Sequence, residues 1–308
     1  AMPAIALTDH GNMYGAVDFY NACKTKNIKP IIGCEFYIAP KSRFDKDPSY
    51  SYDHLTVIAK NNLGYSNLIK LVSRGNLEGF YYRPRIDKEI LKEHSEGLIV
   101  LSGCPSAELF KKIASGDEKS IMDTIVWYKE VFGDDYYLEI MRHEHVDNQE
   151  KVNQWIINNY KQLNVKIVAT NDNHYETKDD YEKEILLKNV RSGSSNPRSD
   201  ILEDNSYYIA SPEEMREKFK DVPEACDNTL EIADKCNIEI DFSKTMIPEF
   251  KTPENKDSFS YLKELCEEGL NKKFPEPSEE IIDRLNYELS VIQETDFADY
   301  FLVVWDIF

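Results

Sequence analysis

The sequence predicts an α/β fold built on a parallel sheet or barrel. Strand-like and helix-spaced segments alternate from the first residues to about Tyr175. The strand-like runs are short, β-branched and bounded by Gly, Ser, Asn or Asp, which is the pattern of buried strands. Four of them end in residues that can bind a metal. Ala4 to Leu7 leads into Asp9-His10, Ile31 to Gly33 into Cys34-Glu35, Leu98 to Leu101 into Ser102-Gly103-Cys104, and 165–169 into Asp172-Asn173-His174. When such strands are parallel, their C-terminal ends converge on one face, where sites are built.

The elements follow in order. A helix over 14–25 comes after the first strand, and a second strand, entered through Pro30, runs from Lys29 to Ile38. Residues 55–59 form a third strand, followed by helical spacing over 65–74. Asp87 caps a short helix ending near His94. Leu98 to Leu101 is a strand, and the helix over 106–114 is closed by Gly116. An amphipathic helix over 121–132, a strand over 136–141, a helix over 152–163 and a strand over 165–169 complete the alternation. Short connections between such repeated units favour parallel pairing.

The pattern changes after Asp179. Residues 191–199 read as a polar loop, and Ser211-Pro212-Glu213-Glu214 as a capping box that opens a helix. Pro223 opens another helix, through Cys236, and 241–259 reads as a linker containing Pro248 and Pro253. Two helices follow over 260–273 and 278–293, before an aromatic-aliphatic run at 300–305 that reads as a buried strand or helix. The chain opens almost directly in a strand and closes in this apolar run, so we expect further native residues at both ends. The expected organisation is one domain over 1–240, the linker, and a helical segment over 260–308.

The formal net charge is -19 over 308 residues, which disfavours a general nucleic-acid clamp and leaves only local contacts. No apolar run approaches the ~20 residues of a membrane span. The six cysteines are scattered without a Cys-x-x-Cys pair, which fits a reduced, cytoplasmic protein better than a disulfide framework.

Imidazole, carboxylate and thiol groups collected at strand ends make a mixed N/O/S metal site. His10 and His174 each follow a strand, beside an Asp, in a tight polar turn. His54 opens the third strand, and Glu35 and Cys104 recur at the same structural position. Asp172 and His174, at i and i+2, project to one side of an extended segment. His143-x-His145 has chelate spacing and is the rival metal site. Tyr81-Tyr82-Arg83-Pro84-Arg85 is the one compact basic-aromatic stretch, able to hold a phosphate or stack a base. His94 reads as a surface residue.

Ala4-Ile-Ala-Leu-Thr-Asp-His-Gly-Asn-Met-Tyr-Gly15 resembles the second metal motif of the polymerase and histidinol phosphatase (PHP) domain. Further stretches resemble that domain in bacterial DNA polymerase III alpha subunits. They are Lys29-Pro-Ile-Ile-Gly-Cys-Glu35, Leu77 to Asp87, Gly97 to Cys104, Ala169-Thr-Asn-Asp-Asn-His-Tyr175 and Asp221 to Asp234. The tail, 287–306, resembles the start of the polymerase palm. The resemblance covers nearly the whole chain.

This resemblance implies a distorted seven-stranded β/α barrel, TIM-barrel-like and incomplete at its N-terminus, with a metal centre at the strand C-ends. Matched position by position, it implies His10, Glu35, His54, Cys104, Asp172 and His174 as ligands, with Asp9 orienting His10. Asp9, His10, Asp172 and His174 would be the catalytic residues, and Arg83, Arg85 and His143 phosphate or DNA contacts. The family's first metal motif has no counterpart here, and Ser102-Gly-Cys-Pro-Ser-Ala107 departs from the usual Leu at 105 and Gly at 107. The implied ions are divalent, zinc or manganese, with magnesium in the parent polymerase. The implied partners are DNA and deoxynucleotides through the parent, and replicase subunits such as the sliding clamp and clamp loader, with no membrane. The activity would be metal-assisted phosphodiester hydrolysis, as a 3′–5′ exonuclease. The alternatives are a catalytically silent scaffold or a free-standing phosphoesterase.

Overall fold

A computed structural model describes residues 2–49, 51–192, 205–243 and 248–308. These residues fall into two compact units, 1–240 and 241–308.

The first unit begins with β1 (Ala4–Leu7), α1 (Ala16–Thr25), β2 (Lys29–Ile38), β3 (Asp53–Ala59) and α2 (Asn62–Leu77). It continues through β4 (Phe80–Tyr81), β5 (Arg83–Ile86), α3 (Lys88–Glu93), β6 (Leu98–Leu101), α4 (Glu108–Ser115) and α5 (Glu118–Phe132). Then come β7 (Tyr136–Ile140), α6 (Gln149–Leu163), β8 (Lys166–Ala169), α7 (Tyr181–Ser192), α8 (Pro212–Lys218) and α9 (Pro223–Lys235).

The strands form one curled, mixed sheet, a half-barrel consistent with an incomplete PHP barrel. Its order is β4-β5-β2-β3-β6-β7-β8, with β1 also on β2. Parallel pairing holds for β1 with β2, β5 with β2, β6 with β7, and β7 with β8. The expectation of a wholly parallel sheet is corrected at β3, which runs antiparallel to both β2 and β6. Its composition says only that it is buried; direction is set by pairing partners. The basic-aromatic stretch forms a hairpin, in which Phe80–Tyr81 pairs with Arg83–Ile86.

Strand residues alternate faces, and the core divides accordingly. Ile32, Cys34, Phe36 and Ile38 of β2, with Leu55 and Val57 of β3 and Leu138 and Ile140 of β7, pack in the larger cluster with α1 to α6. Ile31, Ile58, Ile99, Tyr137 and Val168 occupy the other face, packed against Ile232, Ala233 and Cys236 at α9. The same parity sends Glu35, Tyr37, His54 and Glu139 to this second face.

Local rules terminate the helices. Asp87 accepts from Ile90 N–H at 3.1 Å at the start of α3, Gly116 closes α4 at φ 79°, and Ser211 with Glu214 forms the capping box of α8. Residues 191–192 end α7, a helix the sequence reading lacks, and 193–199 of the expected polar loop lie outside the described residues.

The second unit contains α10 (Ser258–Lys273), α11 (Glu279–Glu294) and α12 (Ala298–Ile307), packed around Leu262, Leu289, Ala298 and Leu302. Asp299 accepts from Ser258 Oγ at 2.8 Å and from Phe250 N–H at 2.7 Å, tying the preceding segment to α12. No helix among the described residues is long and apolar enough to cross a membrane.

Candidate metal centre

His10, Glu35 and His54 offer ligand atoms that all lie within 4.8 Å of one another. The sheet explains why. β1 stops at Leu7, but the chain runs on beside β2, so His10 bridges to Glu35 in parallel fashion. The Gly11 N–H donates to the Glu35 carbonyl at 2.9 Å and the Glu35 N–H to the Asp9 carbonyl at 3.0 Å. Glu35 therefore lies inside β2, which runs to Ile38 as the sequence predicts. β3 supplies the third side chain from its start: Tyr37 pairs with His54 in the antiparallel register. Reversal of β3 thus brings a strand N-terminus to the mouth that the other strands reach with their C-termini.

Glu35 is the hub. Its Oε1 lies 2.7 Å from His54 Nδ1 and 3.4 Å from Cys104 Sγ, and its Oε2 lies 3.5 Å from His10 Nδ1. Cys104 Sγ also stands 3.4 Å from His54 Nδ1. Two ligands of one tetrahedral ion, with bonds of 2.0–2.3 Å, are about 3.4–3.7 Å apart. Three of these four separations match that spacing, so the donor set fits a divalent cation. Gly103 permits the approach: at φ +95° a Cβ would come 2.7 Å from Ala107 Cβ and 3.0 Å from the His54 carbonyl.

His174 completes the wall, its ring 5.9 Å from that of His10. Its Nδ1 donates to the Asp172 carbonyl at 2.7 Å, leaving Nε2 with its lone pair. Asp172 takes φ 45°, so the segment is not extended throughout as expected, yet its Oδ1 still lies 3.8 Å from His174 Nδ1. His10, Glu35, His54, Cys104, Asp172 and His174 are thereby brought together. The Asp9 carboxylate faces Gly15, 3.5 Å from where a Cβ would stand.

Electrostatics separate the groups. Burial pulls the His10 imidazole below its usual pKa, opposed in part by Glu35. Burial opposes ionisation of Glu35, but the hydrogen bond from His54 and the proximity of His10 and His54 win and hold its carboxyl below the usual range. Burial drives the Cys104 thiol well up and also raises Asp172.

Glu139 escaped the sequence reading. It lies within β7, in Tyr136-Tyr-Leu-Glu-Ile140, where a carboxylate on a buried strand carries no spacing signature. Its Oε2 accepts from Gly103 N–H at 2.9 Å and its Oε1 from Thr170 Oγ1 at 2.7 Å. Burial, with Asp172 and Glu35 nearby, pushes its pKa up to about 7.

The other candidates lie apart from the cluster or only at its edge. Arg83 lies 5.7 Å from the Tyr37 ring, which stacks on His10 at 6.2 Å. Arg85 does not serve a phosphate: it is 2% exposed and donates to the carbonyls of Gly79, Arg43 and Asp45. His143 is buried, stacked on Tyr207 at 4.0 Å with Nδ1 2.7 Å from Ser206 Oγ, while His145 is exposed. Among the described residues these two form no metal-holding cluster. His94, read from the sequence as a surface residue, is the C-cap of α3 and is half-buried, 3.8 Å from Glu93.

The PHP domain family matches residues 1–143, and the bacterial DNA polymerase III alpha NTPase domain family matches residues 260–308. The DNA polymerase III subunit alpha of Borreliella burgdorferi is 42% identical over 313 residues, covering 99% of this chain. Those of Chlamydia pneumoniae and Treponema pallidum are 38% and 40% identical, covering 99% and 98% of it. The chain belongs to the PHP-bearing DNA polymerase III alpha family. It spans 29%, 27% and 26% of the Chlamydia, Borreliella and Treponema proteins. The family match over 1–143 encloses His10, Glu35, His54 and Cys104; Asp172 and His174 lie beyond it and join the cluster through the fold.

Proposed function

We propose that the first unit is a metal-dependent phosphoesterase centre that removes nucleotides from DNA 3′ ends within a DNA polymerase III alpha subunit. The observation that supports it is the convergence of His10, Glu35 and His54 within 4.8 Å, with Cys104 beside them. In this reading His10, Glu35, His54, Cys104, Asp172 and His174 are ligands, and Asp9, through the backbone bond to Glu35, steadies His10. The mixed N/O/S donor set suits zinc or manganese.

Divalent ions held there would polarise a phosphodiester and acidify the attacking water. The chain's own residues do the rest. Glu35 stays ionised in a buried setting and offers two oxygens. His10 stays neutral and keeps its lone pair. Cys104 would bind a cation as the thiolate. His174, fixed by the Asp172 carbonyl, presents Nε2, and Asp172 and His174 would flank the phosphate.

For the longer protein we propose DNA-directed DNA synthesis with magnesium in the cytoplasm, on DNA and deoxynucleotides, alongside the sliding clamp and clamp loader. We assign 1–240 to the PHP domain, 241–259 to a linker and 260–308 to the approach to the palm.

The test is elemental analysis of the purified full-length protein together with degradation of a 3′-labelled oligonucleotide. Bound metal with 3′-end hydrolysis, both lost in Asp172→Ala and His174→Ala, supports the reading. Bound metal without hydrolysis makes the unit a scaffold. Metal content unchanged in both variants overturns the site.

A further inference from the structure

Two exposed tyrosines stand on the loops that enclose the His10–Glu35–His54 cluster. Tyr14, on the connection just after His10, is 86% exposed, and Tyr82, at the turn of the β4–β5 hairpin, is 77% exposed. The hairpin rests on the loop that carries His10: a Cβ at Gly11 would come 2.8 Å from Pro84 Cγ. Arg83, next to Tyr82, stands over the Tyr37 ring. Beneath them, Tyr37 meets Tyr52 edge to face at 4.9 Å, and Tyr52 lies parallel to His54 at 6.0 Å. Tyr37 and Tyr52 therefore form an aromatic wall on the His10 and His54 side of the cluster.

Tyr82 is unusual in a second respect. It takes φ 58°, a conformation that side chains with a Cβ seldom adopt. The strain does not bury the ring, whose aromatic neighbour is Tyr81 at 4.6 Å, edge to face. Strain that keeps an apolar ring in solvent points to a contact made with something else.

We propose that Tyr82, with Tyr14 and Arg83, grips the last bases of a single-stranded DNA 3′ end and leads it to the cluster. This rests on the phosphoesterase reading. An aromatic face stacks any base, and a neighbouring guanidinium takes the phosphate between two bases. A duplex keeps its bases stacked on one another and presents no such face. The net charge of -19 gives the chain no broad attraction for a phosphate backbone, so binding falls to this local stacking. The ligand class is a frayed or single-stranded end.

The experiment is fluorescence anisotropy of the 308-residue chain with 5′-labelled oligothymidylate and with a blunt duplex of equal length, in EDTA. The wild type binds the single strand more tightly than the duplex. Tyr82→Ala weakens single-strand binding roughly 5- to 100-fold, while Tyr82→Phe stays within about twofold. Arg83→Ala weakens it and lowers the salt dependence by about 0.7 in log–log slope. Equal binding of both DNAs, or Tyr82→Ala binding like wild type, overturns the proposal. So does a Tyr82→Ala chain that keeps the oligonucleotide but loses a co-purifying protein, which marks a protein-docking surface. Because EDTA removes the ions, a chain that grips the strand here yet never cleaves it with metal present refutes only the phosphoesterase reading.

Discussion

Glu139 and Gly103 are joined by a 2.9 Å hydrogen bond from backbone N–H to carboxylate, and the second oxygen of Glu139 holds Thr170. One buried side chain thus ties the turn that carries Cys104 to the turn that leads to Asp172. Replacing it with Leu takes the acceptor from the half-buried Gly103 N–H and Thr170 hydroxyl, each bond worth about 1–2 kcal/mol. Glu139→Leu is expected to lower stability by roughly 2–4 kcal/mol and bound metal at least tenfold. Glu139→Gln, which can accept from Gly103 and donate to Thr170, should retain most of both. Urea melts and elemental analysis check this.

The same carboxyl makes metal-free stability depend on pH. Its folded pKa, about 7, is above the ordinary value of 4.5, so the folded state holds the proton more tightly. That contribution is complete below about pH 4.5 and fades as pH rises through 7. In EDTA the wild type should lose about 1–3 kcal/mol relative to Glu139→Gln between pH 5 and pH 8. Parallel curves for the two proteins would refute the assignment.

Gly103→Ala should damage the centre through the backbone. The residue sits at φ +95° with Ala107 and the His54 carbonyl too close for a Cβ. A cost of about 2–3 kcal/mol is expected, with loss of bound metal, because Cys104 and His54 must part. Thermal melts with and without added zinc separate the two effects.

Arg85 and Arg83 should differ although one residue separates them. Arg85→Ala leaves the carbonyls of Gly79, Arg43 and Asp45 short of a donor and should cost about 2–4 kcal/mol with little change in oligonucleotide affinity. Arg83→Ala should do the reverse. Denaturation and anisotropy on the same preparations decide it.

Tyr82→Gly should stabilise the chain by about 0.5–1 kcal/mol, since glycine takes a positive φ without strain. The same change should weaken single-strand binding. A variant that gains no stability would show that the hairpin relaxes by another route.

Much of this architecture was legible from composition and punctuation. The limits of β2 and β6, the Asp87 cap, the Gly116 stop and the Ser211 capping box are local decisions, made by residues within a few positions of each other. The reversal of β3 was not legible, because direction depends on which neighbours a buried strand meets. The hairpin at 80–86 was obscured by Pro84 and by a turn built on a strained tyrosine. Arg85 looked functional because its sequence neighbours are basic and aromatic; only the fold shows that backbone carbonyls surround its guanidinium. Glu139 was hidden for the opposite reason, as a single acid among apolar strand residues. The ligand-bearing turns were recognisable because imidazole, acid and thiol recur just after apolar runs.

The backward course of β3 has an evolutionary corollary. The connection from β2 to β3 meets the sheet beside His54, at the rim of the cluster, whereas the turn out of β3 into α2 opens at the far end of the sheet. Insertions in that first connection can therefore reshape access to the centre while every strand keeps its register. Variation in substrate preference among relatives should concentrate there.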